Sequence, residues 1–240
     1  GAIERPIAFG NNDRPGVMSV TAAHTYLNRF AIVPGKKIII CTNNDSAYLP
    51  ALELSEAGAE VKLLDARSGI EDSLSEKALR KGVDLQMKAA PLNVNGSRGV
   101  KSLDIALEKE NKWQRGNTEL CDLVLVSGGW SPVVHLLSHR GIRPIWDKQN
   151  ACFVSNKHSE PITVAGSASG IWDKDNCFAS GIGAGSKAAE SLGIITKNYS
   201  FPITGGWSNP IKPLYEVKVS DYKSKSFVDF QHDVTSDDVR

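Results

Sequence analysis

Neither sign of charge dominates this chain, and that absence bounds its partners. Its 240 residues carry 28 Lys and Arg against 27 Asp and Glu, interspersed, for a formal net charge of +1. No basic stripe points to nucleic acid or to an anionic membrane surface. Long apolar runs are missing too: nothing approaches the ~20 residues of a membrane span. The first residues, GAIERP, have neither the apolar core nor the cleavage site of a signal peptide. The expectation is a cytoplasmic protein with no membrane and no nucleic acid as partner. Cysteine is scarce and scattered. Cys41, Cys121, Cys152 and Cys177 form no C-x-x-C pair, so neither a zinc ribbon nor a dithiol redox centre is written here. Cys41 and Cys121 sit in apolar strand contexts, and reduced, buried thiols are expected. His135 and His139, four apart, would share a helix face, but no third ligand or H-E-x-x-H base accompanies them. His24, His158 and His232 have no partners in sequence either.

What is present is apolar material for a core, 41% of the residues, and one uninterrupted β-α-β pattern from Lys36 to Arg67. Ile38, Ile39 and Ile40 form the short β-branched run that a buried parallel strand needs. Leu49, Leu52, Leu54 and Ala57 shift to helical spacing, Gly58 terminates the helix, and Glu60 to Leu64 is the second strand. A dinucleotide-binding unit would place G-x-G-x-x-G or G-x-G-x-x-A in the first turn, so that bare backbone meets a pyrophosphate at the helix N-terminus. Here the turn is Thr42-Asn43-Asn44-Asp45-Ser46-Ala47. Ala47 fits the fingerprint, while Thr42 and Asn44 stand where its first two glycines would be. Asn tolerates the left-handed backbone of such a turn but keeps a side chain where the phosphate would approach. Asp65, at the end of the second strand, is where a carboxylate accepts ribose hydroxyls. The unit therefore reads either as a nucleotide half-site, with Thr42, Asn43, Asn44 and Asp65 as its candidate residues, or as scaffold.

Along the rest of the chain, Gly10 to Gly16 is a loop, Val17 to Phe30 a helix with Val20, Ala23, Tyr26, Leu27 and Phe30 on one face, and Pro34-Gly35 its end. Asp72 to Gly82 is a helix. Val83 to Ala90 is a strand opening an antiparallel element, Asn93 to Ser97 a turn, and Val100 to Leu107 the return. The polar run Glu108 to Glu119 reads as a solvated hairpin tip, and Cys121 to Val126 as a buried strand ending in SGGWSP. Val133 to Arg140 is helical. Pro161 to Ala165 is a strand leading through Gly166-Ser167-Ala168-Ser169-Gly170 into a small-residue helix, Asn176 to Leu192. Residues 198–226 lose all periodicity and read as a covering loop or linker. Thr235-Ser236-Asp237-Asp238 has the capping-box form that starts a helix.

Several phrases carry a resemblance. GAIERPIAFGNNDRPGV is similar to the segment that leaves the first half of two-dinucleotide-domain flavoproteins. TNNDSAY resembles the turn G-G-G-D-S-A of thioredoxin reductases at Asp45, Ser46 and Ala47. With SGGWSP, the Gly166 block and SFVDFQHDVT, in the same order, it resembles the alpha subunits of heterotetrameric sarcosine oxidases over nearly the whole chain.

That resemblance implies an α/β fold: a Rossmann-like βαβ domain with antiparallel crossover strands, plus part of a second FAD/NAD-type dinucleotide domain. The implied division is 1–33 as the tail of the first dinucleotide half, 34–131 as the NAD(P)-binding-like domain, and 132–197 as the return to the first half. A linker at 198–226 and the start of a further domain at 227–240 complete it, so the chain is expected to be a piece of a longer polypeptide. The implied function is that of a subunit in a complex that demethylates sarcosine to glycine, yielding a one-carbon unit and hydrogen peroxide. Its partners would be the other subunits of a hetero-oligomeric oxidase. NAD would be bound by the full-length subunit, with FAD and FMN on a partner subunit. In flavoprotein relatives, a strand ending in G-D meets the flavin ribityl chain where this sequence has Gly166-Ser167. Ser167 removes that carboxylate, which leaves another nucleotide at Gly166, Ser167 and Gly170, or a purely structural strand-helix contact. No catalytic or metal residue is expected. The rival readings are an NAD(P)H-dependent flavin reductase of the thioredoxin reductase type, against which the missing C-x-x-C counts, and a non-catalytic scaffold subunit.

Overall fold

A run such as Ile38-Ile39-Ile40 is stable as a strand when both of its faces are covered, and the fold supplies a cover on each side. A computed structural model describes residues 1–155, 162–197, 201–203, 210–220 and 222–240. They form two compact units, Gly1–Ile3 with Trp130–Pro210, and Glu4–Gly129 with Ile211–Arg240. After a short first strand, β1 (Ala2–Glu4), the larger unit runs β2 (Val17–Ser19), α1 (Val20–Phe30), β3 (Lys37–Thr42), α2 (Tyr48–Glu56), β4 (Glu60–Asp65), α3 (Asp72–Arg80) and β5 (Asp84–Met87). Then come β6 (Ala89–Asn95), β7 (Ser102–Lys109), β8 (Lys112–Leu120) and β9 (Leu123–Ser127).

Five of these strands make one parallel sheet in the order β2-β9-β3-β4-β5. Successive side chains of β3 serve opposite layers. Ile38 and Ile40, with Leu63 and Leu125, pack under Val20 and Ala23 of α1 and Tyr48, Ala51 and Leu54 of α2. Ile39 and Cys41, with Leu64, Val124 and Val126, pack against Leu92, Val94, Leu103 and Ile105 of the antiparallel sheet β6-β7-β8. Late in the chain, Leu214 and Val217 join this second core. They are held by Val217 N–H donating to Ala8 O (3.0 Å) and Ala8 N–H donating to Tyr215 O (2.8 Å).

Six sequence readings need correction in this unit. Val17 to Ser19 is not the first turn of α1 but β2, parallel to β9, because Ser19 caps the helix by accepting from Ala22 N–H (3.2 Å). Tyr26 and Phe30, expected on the buried face of α1, are exposed. The run Val83 to Ala90 divides at Lys88, whose left-handed backbone (φ 54°) sends β5 into the parallel sheet and β6 into the antiparallel one. Glu108 to Glu119 is no solvated tip. Most of it is β8, paired to β7, and the tip is Glu110-Asn111, both at positive φ. An outer strand of an antiparallel sheet needs little apolar content, which is why its composition misled.

Asn93 and Asn95 lie in β6 and hydrogen-bond to each other, leaving the turn to Gly96 and its neighbours. The C-terminal strands β13 and β14 of this unit (Phe227–Asp229 and Val234–Thr235) pair antiparallel. Asp238 accepts from Thr235 N–H (2.8 Å) and Oγ1–H (2.6 Å), so the T-x-x-D motif closes a turn and not the first turn of a helix.

The smaller unit contains β10 (Trp130–Pro132), which pairs with β1, the short α4 (His135–Ser138), and the hairpin of β11 (Ile145–Asp147) and β12 (Cys152–Val154). Its long helix is α5 (Lys174–Ser191), capped by Asp173, which accepts from Asn176 N–H (2.8 Å). No residue of α5 is buried. Ile162 to Ala165 forms no strand, contrary to expectation; Pro161 and His158 lie outside the described residues, as do residues 198–200 and 204–209 of the aperiodic stretch.

Candidate functional site

Parallel sheets bind ligands beyond the carboxyl ends of their strands, and Thr42, Asn43, Asn44, Asp65 and Ser127 all lie at that end of the larger unit. The structure brings them together and buries them; each is at most 1% exposed. Lacking glycine, the turn after β3 is built on side-chain hydrogen bonds. Thr42 Oγ1–H donates to Asn44 O (3.0 Å) and accepts from Asn44 N–H (3.2 Å). Asn44 Nδ2 donates to Ser127 O (3.1 Å), while its Oδ1 accepts from Ser46 N–H (3.0 Å). Asn43 Nδ2 donates to Lys212 O (2.9 Å), and Lys212 N–H returns a bond to Asn43 O (3.0 Å). Two of the amides a pyrophosphate could use, those of Asn44 and Ser46, are spent inside the protein.

Asp65 is likewise committed. An ionised carboxylate has about four lone-pair sites. Here Oδ1 accepts from Arg67 N–H (2.9 Å) and Nε–H (3.0 Å), and Oδ2 from Tyr48 O–H (2.7 Å) and Arg67 Nη2–H (2.7 Å). No lone pair is left for a ribose hydroxyl. Arg67 Nη1 also reaches Asp45 Oδ1 (2.6 Å). Burial raises the Asp45 pKa, opposed by the Arg67 guanidinium. Burial and the neighbouring Asp65 carboxylate push the Tyr48 phenol far up, so it stays a donor. Sequence reasoning missed Tyr48, Arg67 and Lys212. Arg67 could have been noticed as a cation two residues past the strand-end acid; Lys212 gives no signal, since it meets Ala66 across 146 positions.

Gly166, Ser167 and Gly170 belong to the other compact unit. Gly166 to Ser169 makes a 3-10 turn, with Gly166 (φ 64°) and Gly170 (φ 81°) in the left-handed region that favours glycine. Gly166 N–H donates to Ser180 Oγ of α5 (3.1 Å), and Ser169 Oγ–H donates to Gly166 O (2.7 Å). On α5, a Cβ added at Gly181, Gly183 or Gly185 would meet nothing within 4 Å. The helix glycines are open where the turn after β3 is closed, while the loop itself is packed: a Cβ at Gly170 would sit 2.9 Å from Val154 Cγ1.

No family model matches the chain. Among curated proteins it is 32% identical over 243 residues to sarcosine oxidase subunit alpha of Rhizobium meliloti (strain 1021), taking in 100% of this chain and 23% of the relative. It is also 32% identical over 248 residues to the subunit of that name from Corynebacterium sp. (strain P-1), with 100% and 25% covered. The whole chain is homologous to one segment of sarcosine oxidase alpha subunits. It spans about a quarter of their length. Among solved structures, thioredoxin reductase of T. acidophilum has a TM-score of 0.58 at 17% identity, over 80% of this chain and 62% of its own. L-proline dehydrogenase of P. horikoshii has a TM-score of 0.55 at 20% identity, over 82% and 34%. The chain thus shares the α/β fold of these two solved structures.

Within this segment no cluster of three or more His, Cys, Asp or Glu suited to a metal occurs among the described residues, and none of its described helices is long and apolar enough to cross a membrane. Cys41, Cys121 and Cys152 are buried and Cys177 is partly so, and no disulfide joins any of the four. Burial pushes the Cys41 thiol well above its usual range and Cys121 up to about 12. A thiol-specific reagent at mildly alkaline pH is therefore expected to modify at most Cys177 rapidly in the folded chain, and all four only after unfolding. Rapid loss of two or more thiols without unfolding would contradict this.

Proposed function

We propose that this chain is a nucleotide-holding and assembly region within the alpha subunit of an oxidase complex that demethylates sarcosine to glycine, with a one-carbon unit and hydrogen peroxide as the other products. On this reading the full-length subunit binds NAD in the half that carries Gly166, Ser167 and Gly170, and the larger unit serves as a support. FAD and FMN reside on a partner subunit, and the other subunits of the complex supply the amine-oxidising pocket. The cytoplasm is its proposed location.

The observation that carries the choice of half is the saturation of the strand-end acid in the larger unit. The Asp65 carboxylate already accepts four hydrogen bonds, and the Asn44 and Ser46 amides of the turn are bonded to side chains, whereas Gly166 and Gly170 hold the left-handed backbone that favours glycine and Gly181, Gly183 and Gly185 of α5 face open space. Ser167, in place of an acid, suits a ligand without a ribityl chain. The homology of the whole chain to sarcosine oxidase alpha subunits supports the rest.

Among the described residues no cluster of three or more His, Cys, Asp or Glu suited to a metal occurs, and on this reading the amine-oxidising pocket lies on other subunits. The purified chain without partners is accordingly expected to yield no peroxide from sarcosine in a coupled peroxidase assay. Turnover by the chain alone would overturn the assignment.

A further inference from the structure

Lys212 links three places that are remote in sequence. Its backbone exchanges two hydrogen bonds with Asn43 in the turn after β3. Its Nζ donates to Ala66 O just past the end of β4 (3.0 Å) and to Glu108 Oε1 near the end of β7 (2.6 Å), and lies 5.4 Å from the Trp113 ring centroid. Leu214 and Val217, immediately downstream, are sunk in the core. The segment thus crosses the carboxyl edge of the parallel sheet, where an open α/β unit would receive its ligand. Three carboxylates, Asp45, Asp65 and Glu108, face two cations, Arg67 and Lys212, in this crevice.

We infer that residues 211–217 form a strap that closes the carboxyl edge of the larger unit's sheet to dinucleotides, with Lys212 as its latch. This goes beyond the assignment of NAD to the other half and does not require it. The latch acts by position: Lys212 spans the gap a dinucleotide would span, and its ammonium takes the two acceptors, Ala66 O and the Glu108 carboxylate, that flank it.

Hydrogen exchange of the chain, with and without excess NAD or ADP-ribose, tests the strap. In the unaltered protein, residues 42–48 and 62–68 are expected to exchange slowly and identically with and without nucleotide. Lys212→Met should speed exchange at 42–48 by about tenfold while 123–127 in β9 stays protected; Lys212→Arg, which keeps the cation, should leave the exchange slow. Protection of 42–48 by either nucleotide in the unaltered chain would overturn the inference. So would a Lys212→Met variant, folded by circular dichroism, that exchanges there at the original rate. Nucleotide-dependent change confined to residues 166–180 bears on the proposed function and leaves the strap standing.

Discussion

Arg67→Met is expected to destabilise the chain by about 3–5 kcal/mol at neutral pH, the cost of leaving a buried ion pair with one partner. The Arg67 side chain is 7% exposed and stands between Asp65 at 0% and Asp45 at 13%. Methionine fills much of the same space but donates nothing. Asp65 then keeps only Tyr48 O–H and the backbone N–H of residue 67, and Asp45 loses its guanidinium. Two carboxylates close together without a cation cannot both stay ionised cheaply, so the Asp45 pKa, already raised by burial, rises further in the variant. A raised carboxylate pKa carries its penalty above that pKa and none below the unfolded value. The deficit against the unaltered chain should therefore shrink as pH falls toward about 4. Urea unfolding at the two pH values measures both parts. A neutral-pH loss under about 1 kcal/mol would show that the cluster is not the buried support described here.

Gly128→Ala is the second large effect, about 2–3 kcal/mol, and its cause is steric. A Cβ at Gly128 would sit 2.6 Å from Pro6 O and 3.0 Å from Arg5 O, both backbone atoms that no rotamer change can move. The same stretch is pinned by Gly128 N–H donating to Arg5 O (2.7 Å) and Arg5 N–H donating to Gly129 O (2.8 Å). Accommodating the methyl group means breaking that pairing. Gly181→Ala is the internal contrast. It lies inside α5 with nothing within 4 Å of the new Cβ, so helix propensity alone acts and the change should stabilise by about 0.5–1 kcal/mol. Thermal or urea unfolding of the two variants should move in opposite directions; equal shifts would refute the steric account.

The contrast between these glycines also shows how much was legible. In SGGWSP, which reads as a turn but forms β10 at Trp130–Pro132, the glycine pair marks the break after β9; which backbone it touches depends on Arg5 and Pro6, more than a hundred residues upstream. The β3-α2-β4 unit was legible almost to the residue, because Ile38 to Ile40 and the spacing of Leu52 and Leu54 are local signals answering to one buried layer each. Strand β8 was not, since KWQRGNTEL has the polar content of a loop and is held by its pairing with β7. At the candidate site, the missing glycines at Thr42 and Asn44 were visible in sequence. What replaces them was not: the filling comes from Tyr48 and Arg67, whose roles depend on side-chain direction, and from Lys212, which reaches the site only through the path of the folded chain.

The most direct test of the account is a calorimetric titration of NAD into a longer alpha-subunit polypeptide that carries this segment, unaltered and in two variants. Asp65→Asn keeps the side-chain volume in the half described as closed; Gly166→Val puts a branched side chain on the left-handed turn of the half described as open (φ 64°). The account predicts that Asp65→Asn binds NAD as the unaltered protein does, while Gly166→Val binds at least about tenfold more weakly, a loss of about 1.4 kcal/mol or more. Binding that is lost in Asp65→Asn and kept in Gly166→Val would contradict it.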